Sequence, residues 1–325
     1  MNANFRLNVL LNHLGKRQVF NVQTQKTSQS YYKYTLDNPI LSREQRDFYE
    51  ENGFLVFRKL VDDDLLERCR QHFVDLCEGR YPKGPMTLMK DVSLRNTGAK
   101  GEYLYNKVQD IAFDPVFEQY ILYPKILDIV ECFTGPNIAA VHTMLINKPP
   151  DSGKETSQHP LHQDLHYFPF RPADRIVASW TAMEPVTVDN GCLFVLPGSH
   201  REPLQRHEYP DAAVNKGYHG IRGYDHRPKV NLLMDKGDTV FFHPQLIHGS
   251  GVNVTTNFRK AISCHYAASD CYFIDVHGTT QENIAKEVEG IAESKFGLNI
   301  DFNTIWRMRA RVARGLPLNF EANLM

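Results

Sequence analysis

No apolar run in this chain of 325 residues approaches the roughly 18–20 needed to cross a bilayer. A transmembrane helix is therefore not expected. Charge of one sign is also lacking. The formal net charge is −1, so no field from the whole molecule would recruit nucleic acid or an acidic membrane. The six cysteines contain no Cys-x-x-Cys pair, which leaves zinc-ribbon and thioredoxin-like readings without support. Their sparse spread suits reduced, buried thiols rather than a disulfide framework. The expectation is a soluble, intracellular globular protein whose partners are chosen by local features.

Acidic residues are missing from the start of the chain. Asp37 is the first, whereas Arg6, Lys16, Arg17, Lys26 and Lys33 precede it. Acidic-poor leading segments are often addresses, and residues 1–30 are set apart from the fold on that ground. The cluster Val9-Leu10-Leu11 is too short for a secretory signal and is broken by Asn12-His13. On a helix Arg6, Leu7, Leu10, His13 and Leu14 share one face, a compact stripe for a receptor groove. The spacing Arg-Leu, five residues, His-Leu is similar to the N-terminal peroxisomal targeting signal. A mitochondrial transit peptide is the competing reading. Asn323-Leu324-Met325 is not the other common peroxisomal tail. Import into the peroxisome by a receptor reading Arg6 to Leu14 is expected.

Ser42 and Gln45 form a capping-box pattern before a helix over 43–52, which Gly53 ends. Phe54-Leu55-Val56-Phe57 reads as a short buried strand. After Asp62-Asp63-Asp64, residues Leu65, Leu66, Cys69, Phe73 and Leu76 recur at helical spacing. A helix or helix pair follows over 115–133, stopped by Gly135-Pro136. From Asn137 the texture changes to short apolar strands between Gly, Pro, Asn and Asp turns, over 138–147, 176–183, 191–196, 230–234, 239–242 and 259–266. Many short strands argue for a sandwich or jelly-roll barrel. One domain over 31–325 is expected, with a helical part at about 40–135, a β-core at about 137–270 and C-terminal helices at about 281–315.

His162-Gln163-Asp164 lies between Pro160 and Pro169, which oppose a helix. In an extended segment residues i and i+2 point to one side, so His162 and Asp164 project together as two metal ligands must. His248, beyond the strand at 239–242 and followed by Gly249-Ser250-Gly251, is the best third ligand. Two histidines and one carboxylate leave positions open on an ion, the arrangement of non-haem Fe(II) oxygenases. With 14 histidines in the chain, a His-x-Asp triplet also arises readily by chance. His159, His166 and His243 are the nearby competitors, assigned to the cavity or to supporting the ligands. A zinc protease would need Glu, not Gln163, after His162 and a helix that the prolines oppose.

Arg259 strengthens the reading. On a strand it shares a face with Ala261, Ser263 and His265, whose first members are small and leave room for a ligand. A planar guanidinium grips a carboxylate bidentately, which Lys does less well, and Ser250 could add a hydroxyl. A surface ion pair is the bland alternative for a lone Arg. The order His-x-Asp, later His, then Arg makes a joint coincidence improbable.

At these residues the chain resembles the phytanoyl-CoA dioxygenase family. The likeness spans nearly the whole length and is strongest from His159 to Phe170 and from Lys236 to Ser250. It includes Phe48-Tyr49-Glu50-Glu51-Asn52-Gly53 and the run from His142 to Lys154, and is weaker over 80–101 and 201–227. The resemblance implies a mainly β, double-stranded β-helix (jelly-roll) fold with flanking helices. It implies iron held by His162, Asp164 and His248, with 2-oxoglutarate gripped by Arg259 and touched by Lys107, Met144, Gln163, Trp180 and Ser250. It further implies O2 as co-reactant, ascorbate as reductant and a 3-methyl-branched acyl-CoA as the substrate hydroxylated at C2. A halogenating variant would replace the carboxylate ligand, and Asp164 is present. Alternatives are an oxygenase of the same scaffold acting on another small molecule, or a non-catalytic metal- or lipid-binding protein. No phosphate-cradling glycine loop is evident, so dispersed basic residues are expected to meet the CoA moiety.

Overall fold

The Ser42 side chain accepts from the Gln45 backbone while the Gln45 side chain accepts from the Ser42 N–H, and helix α1 (Arg43–Asn52) starts there as the pattern predicts. It stops at Gly53 in the left-handed conformation, φ 80°, where a Cβ would also meet the His200 ring at 2.5 Å. The structure is a computed structural model. It describes residues 32–321 except 92, 95–97, 152, 154–156, 211–214 and 216. The N-terminal nonapeptide lies outside the described residues.

Strand β1 (Phe54–Phe57) and helix α2 (Asp63–Cys77) follow as expected, with Leu65, Leu66, Cys69, Phe73 and Leu76 buried on one face. The stretch before Gly135 divides into a short helix α3 (Glu118–Ile121) and α4 (Pro124–Thr134). Between them and α2 lie two strands that the sequence pattern places in no element, β2 (Thr87–Lys90) and β3 (Tyr105–Gln109). The part taken as helical therefore contributes to the β-core. β3 alternates buried and half-buried residues, the period of an outer strand, and the pattern is too short and polar to stand out.

The remaining strands are β4 (Ile138–Lys148), β5 (His159–His162), β6 (Phe170–Arg171), β7 (Ile176–Ala182), β8 (Leu193–Val195) and β9 (Val230–Asn231). They continue with β10 (Thr239–Phe242), β11 (His248–Ser250), β12 (Arg259–Ala268) and β13 (Tyr272–Phe273). The chain closes with helices α5 (Glu282–Phe296) and α6 (Phe302–Arg309) and strand β14 (Arg311–Arg314). The Arg-rich C-terminal segment thus ends as a strand rather than a helix, paired with β4.

A larger antiparallel sheet runs β1-β10-β7-β12-β4-β3-β2, with β14 also on β4, and a smaller one runs β5-β11-β8-β9. Two such sheets facing each other make the jelly roll. α2 and α4 cover the outer face of the larger sheet. There Phe73, Phe117, Phe133, Ile262, Tyr266 and Phe241 join one apolar core, while α5 and α6 pack a second core on Phe168, Phe170 and Trp306. Residues of α5 and α6 also reach the cavity that opens between the two sheets.

Candidate active site

The smaller sheet brings the first ligands together. β11 pairs antiparallel with β5 so that His248 lies directly opposite His162, and their ring centroids are 4.2 Å apart. β5 ends at His162, and Gln163 is still extended (φ −119°, ψ 125°) before the tight turn Asp164–Tyr167 begins. Asp164 therefore emerges on the side of His162, with its Oδ1 3.2 Å from His162 Nε2. Ligand atoms of His162, Asp164 and His248 all fall within 4.8 Å of one another, and all three residues are buried.

Both histidines are aimed by backbone. Nδ1 of His162 meets Pro160 O at 2.9 Å, and Nδ1 of His248 meets Leu246 O at 3.0 Å. A carbonyl can only accept, so each ring carries its proton on Nδ1 and turns a bare Nε2 to the cluster. Burial, then the neighbouring His162, pushes His248 down to about 4, so it is neutral at pH 7. Burial raises Asp164, but its neighbours His248, His265 and His162 outweigh it and hold the carboxyl well below its usual range. Two imidazoles that each turn a bare Nε2 inward, with an ionised carboxylate, fit a divalent ion, and three ligands on one side leave positions for others.

Across the gap the larger sheet supplies Arg259, 2 % exposed and first in β12. Its Nη2 donates to Gly191 O at 2.9 Å, while Nε and Nη1 are buried without a hydrogen-bond partner among the described residues. Gly191 sits at φ +78°, and a Cβ there would strike Gly251 O at 2.5 Å. The cross-strand neighbour of Arg259 is Lys148, buried too, whose Nζ donates to the carbonyls of Ser157 and Gly251. Burial, then Arg259, holds the Lys148 ammonium well below its usual range, and burial brings Arg259 down to about 10. A buried guanidinium with idle donors makes a setting for a carboxylate. The Trp180 ring lies 5.2 Å from the guanidinium.

One cavity of about 250 Å³ joins the cluster to Arg259, and Lys107, Met144, Trp180 and Ser250 line it as well. Burial, then Arg309, lowers Lys107 to about 8. Gln163 is the exception among the residues expected at the cosubstrate. Strand alternation turns it away from His162 and Asp164, and its amide donates to Pro203 O and Gln245 O and accepts from Gln205 N. It buttresses the ligand segment from behind and does not line the cavity.

His159 lines the cavity, its ring 4.1 Å from that of His162. His166 lies behind it, bonded to His219 at 3.0 Å and stacked on His207. His243 plays neither expected part, for it faces Asp174 and the Tyr34 ring. Residues to which the sequence pattern assigns no role also shape the cavity: His142, Tyr218, Trp306 and Arg309, besides Lys148 and His265. Only His265 carries a signal, on the same strand face as Arg259. The two segments with weaker family likeness meet at the cavity wall, where Asn215 donates to Asp91 at 2.9 Å.

A family model described as phytanoyl-CoA dioxygenase matches residues 49–261. "Phytanoyl-CoA dioxygenase, peroxisomal" of Rattus norvegicus is 53% identical over 332 residues, covering 98% of each chain. The protein of the same name in Homo sapiens is 52% identical and covers 98% of this chain and 99% of its own. "Probable phytanoyl-CoA dioxygenase" of Caenorhabditis elegans is 53% identical over 88% of this chain and 97% of its own. Among solved structures, EctD from S. alaskensis with 2-oxoglutarate and 5-hydroxyectoine aligns at TM-score 0.59 and 16% identity, over 79% of this chain and 89% of that one. The epimerase SnoN in complex with Fe3+ and alpha ketoglutarate aligns at 0.55 and 18%, over 71% and 85%. The solved structures share the fold, the jelly roll that the strand pattern suggests and the family resemblance implies as a double-stranded β-helix. The chain belongs to the phytanoyl-CoA dioxygenase family.

Proposed function

We propose that the protein is an Fe(II)- and 2-oxoglutarate-dependent oxygenase that hydroxylates phytanoyl-CoA and related 3-methyl-branched acyl-CoAs at C2. One observation carries this reading. A buried His-Asp-His cluster and a guanidinium with idle donors face each other across a single cavity. The substrate class rests on relatives more than 50% identical over nearly the whole chain, whose names state it.

In this reading His162, Asp164 and His248 hold the iron. Arg259 and Ser250 hold the far carboxylate of 2-oxoglutarate, with Trp180 and Met144 as walls and Lys107 as a further cation. Iron with 2-oxoglutarate and dioxygen supplies the oxidant that turns C–H into C–OH, with succinate and CO2 as co-products, and ascorbate serves as reductant. The chain's own contribution is positioning and the exclusion of water. Pre-set Nε2 atoms and the pinned guanidinium fix the distance between ion and carboxylate, and the closed inner faces shield the reacting carbon. Action in the peroxisome fits the relatives named peroxisomal, and the receptor-read segment Arg6 to Leu14 would deliver the protein there.

The test is a coupled turnover assay with Fe(II), 2-oxoglutarate and phytanoyl-CoA. Succinate and 2-hydroxyacyl-CoA should form in step. Succinate formed without hydroxylated product would reject phytanoyl-CoA as the substrate.

A further inference from the structure

β12 departs from regular pairing at one point, where its register against β4 slips between His265 and Tyr266. Such a bulge re-aims the side chains beside it. Here His265 Nε2 reaches Asp164 Oδ2 at 2.8 Å. The ring is clamped by His142, stacked at 5.5 Å, and by the edge of Phe168 at 5.1 Å. Its other nitrogen, Nδ1, is buried without a hydrogen-bond partner among the described residues. An unpaired buried nitrogen counts against stability, and an apolar side chain would fill the same space without that cost. Packing therefore does not explain a histidine at this position. What the ring adds is a donor trained on one oxygen, since an ionised carboxylate only accepts.

The two oxygens of Asp164 are thereby made unlike. Both face the cluster, Oδ1 at 3.2 Å from His162 Nε2 and Oδ2 at 3.7 Å from His248 Nε2, but Oδ2 also meets His265 at 2.8 Å and Oδ1 has no such partner among the described residues. An unrestrained carboxylate can offer an ion both oxygens. That would fill a position the cosubstrate or dioxygen needs. We infer that His265 is a positioning residue: its Nε2–H occupies Oδ2, leaves Oδ1 as the oxygen offered to the ion, and so keeps the metal's remaining positions open. This rests on the reading of His162, Asp164 and His248 as the iron ligands.

His265→Leu removes the donor and keeps apolar bulk, while His265→Gln returns an N–H near the former Nε2. Anaerobic titration of the full-length protein with Co(II), followed by its visible absorption, reads the site without turnover. His265→Leu should alter the Co(II) band shape and lower its intensity severalfold, as a second carboxylate oxygen raises the coordination number, and His265→Gln should recover most of the wild-type spectrum. In turnover, succinate formed per hydroxylated product should rise for His265→Leu. A wild-type Co(II) spectrum in His265→Leu, or an equal change in His265→Gln, would overturn the assignment. If circular dichroism shows His265→Leu unfolded, His265→Ala takes its place in the same comparison. A wild-type protein that binds no Co(II) would instead overturn the metal reading itself.

Discussion

The two sheets that face each other differ in build. In the larger one β4 and β12 run 11 and 10 residues, and every residue of β12 is buried. In the smaller one β8 and β11 have three residues each, and the ligands sit at strand ends, His162 last in β5 and His248 first in β11. The long strands, paired on both sides, act as a ruler that fixes Arg259 and His265. The short strands end where side chains are needed and hand over to turns. A carboxylate such as Asp164 can enter from a turn because its partners hold it. A guanidinium that must meet a ligand at a set distance is better carried by a strand that cannot move.

Substitutions test this division, and the largest loss should come from the smaller sheet's side. Asp164→Ala removes an ionised ligand and should abolish turnover while leaving the larger sheet folded. Circular dichroism and the coupled assay together check it, and retained activity would discard the cluster. Arg259→Lys gives up the two idle donors without giving up charge. With charge-assisted hydrogen bonds contributing about 1.5–3 kcal/mol, the 2-oxoglutarate requirement should rise roughly 10- to 100-fold. The acyl-CoA requirement should stay near wild type, and steady-state kinetics with each ligand varied separates the two.

A smaller effect follows from pH. Lys107 loses its proton near pH 8, because burial and Arg309 favour the neutral amine. The ammonium is present below that value and is lost as pH rises through it, so 2-oxoglutarate binding should weaken several-fold between about pH 7 and 9.5. Lys107→Gln should bind weakly but with this step removed, as measured by 2-oxoglutarate titration across pH. The smallest effect belongs far from both sheets' inner faces. Ser42→Ala breaks the capping box and should cost about 1 kcal/mol in denaturant unfolding, with turnover unchanged.

Much of the molecule is legible in its sequence where the signal is local. The capping box and the apolar stripe of α2 lie within a few residues and stand as expected, and the equally local pair His162 and Asp164 is found close to His248. Arg259 is legible through strand alternation. The same alternation, applied to Gln163, turns its side chain to the face opposite His162 and Asp164, where its amide is held by Pro203, Gln245 and Gln205. His265 shares the face of Arg259, but nothing local says that Asp164, 101 residues away, lies within reach of it. Lys148, Tyr218, Trp306 and Arg309 reach the cavity only through tertiary packing. β2 and β3 escape notice because they are short, β2 buries no residue and β3 buries only Asn106 and Val108, so neither carries much apolar signal.

The alternation of β12 has a genetic corollary. Arg259 and His265 stand an even number of residues apart on one rod roughly 20 Å long. One codon gained or lost between them would flip a side chain from the cavity into the outer packing layer. Natural variation in this stretch should therefore run to substitutions, with length changes confined to the connections around it.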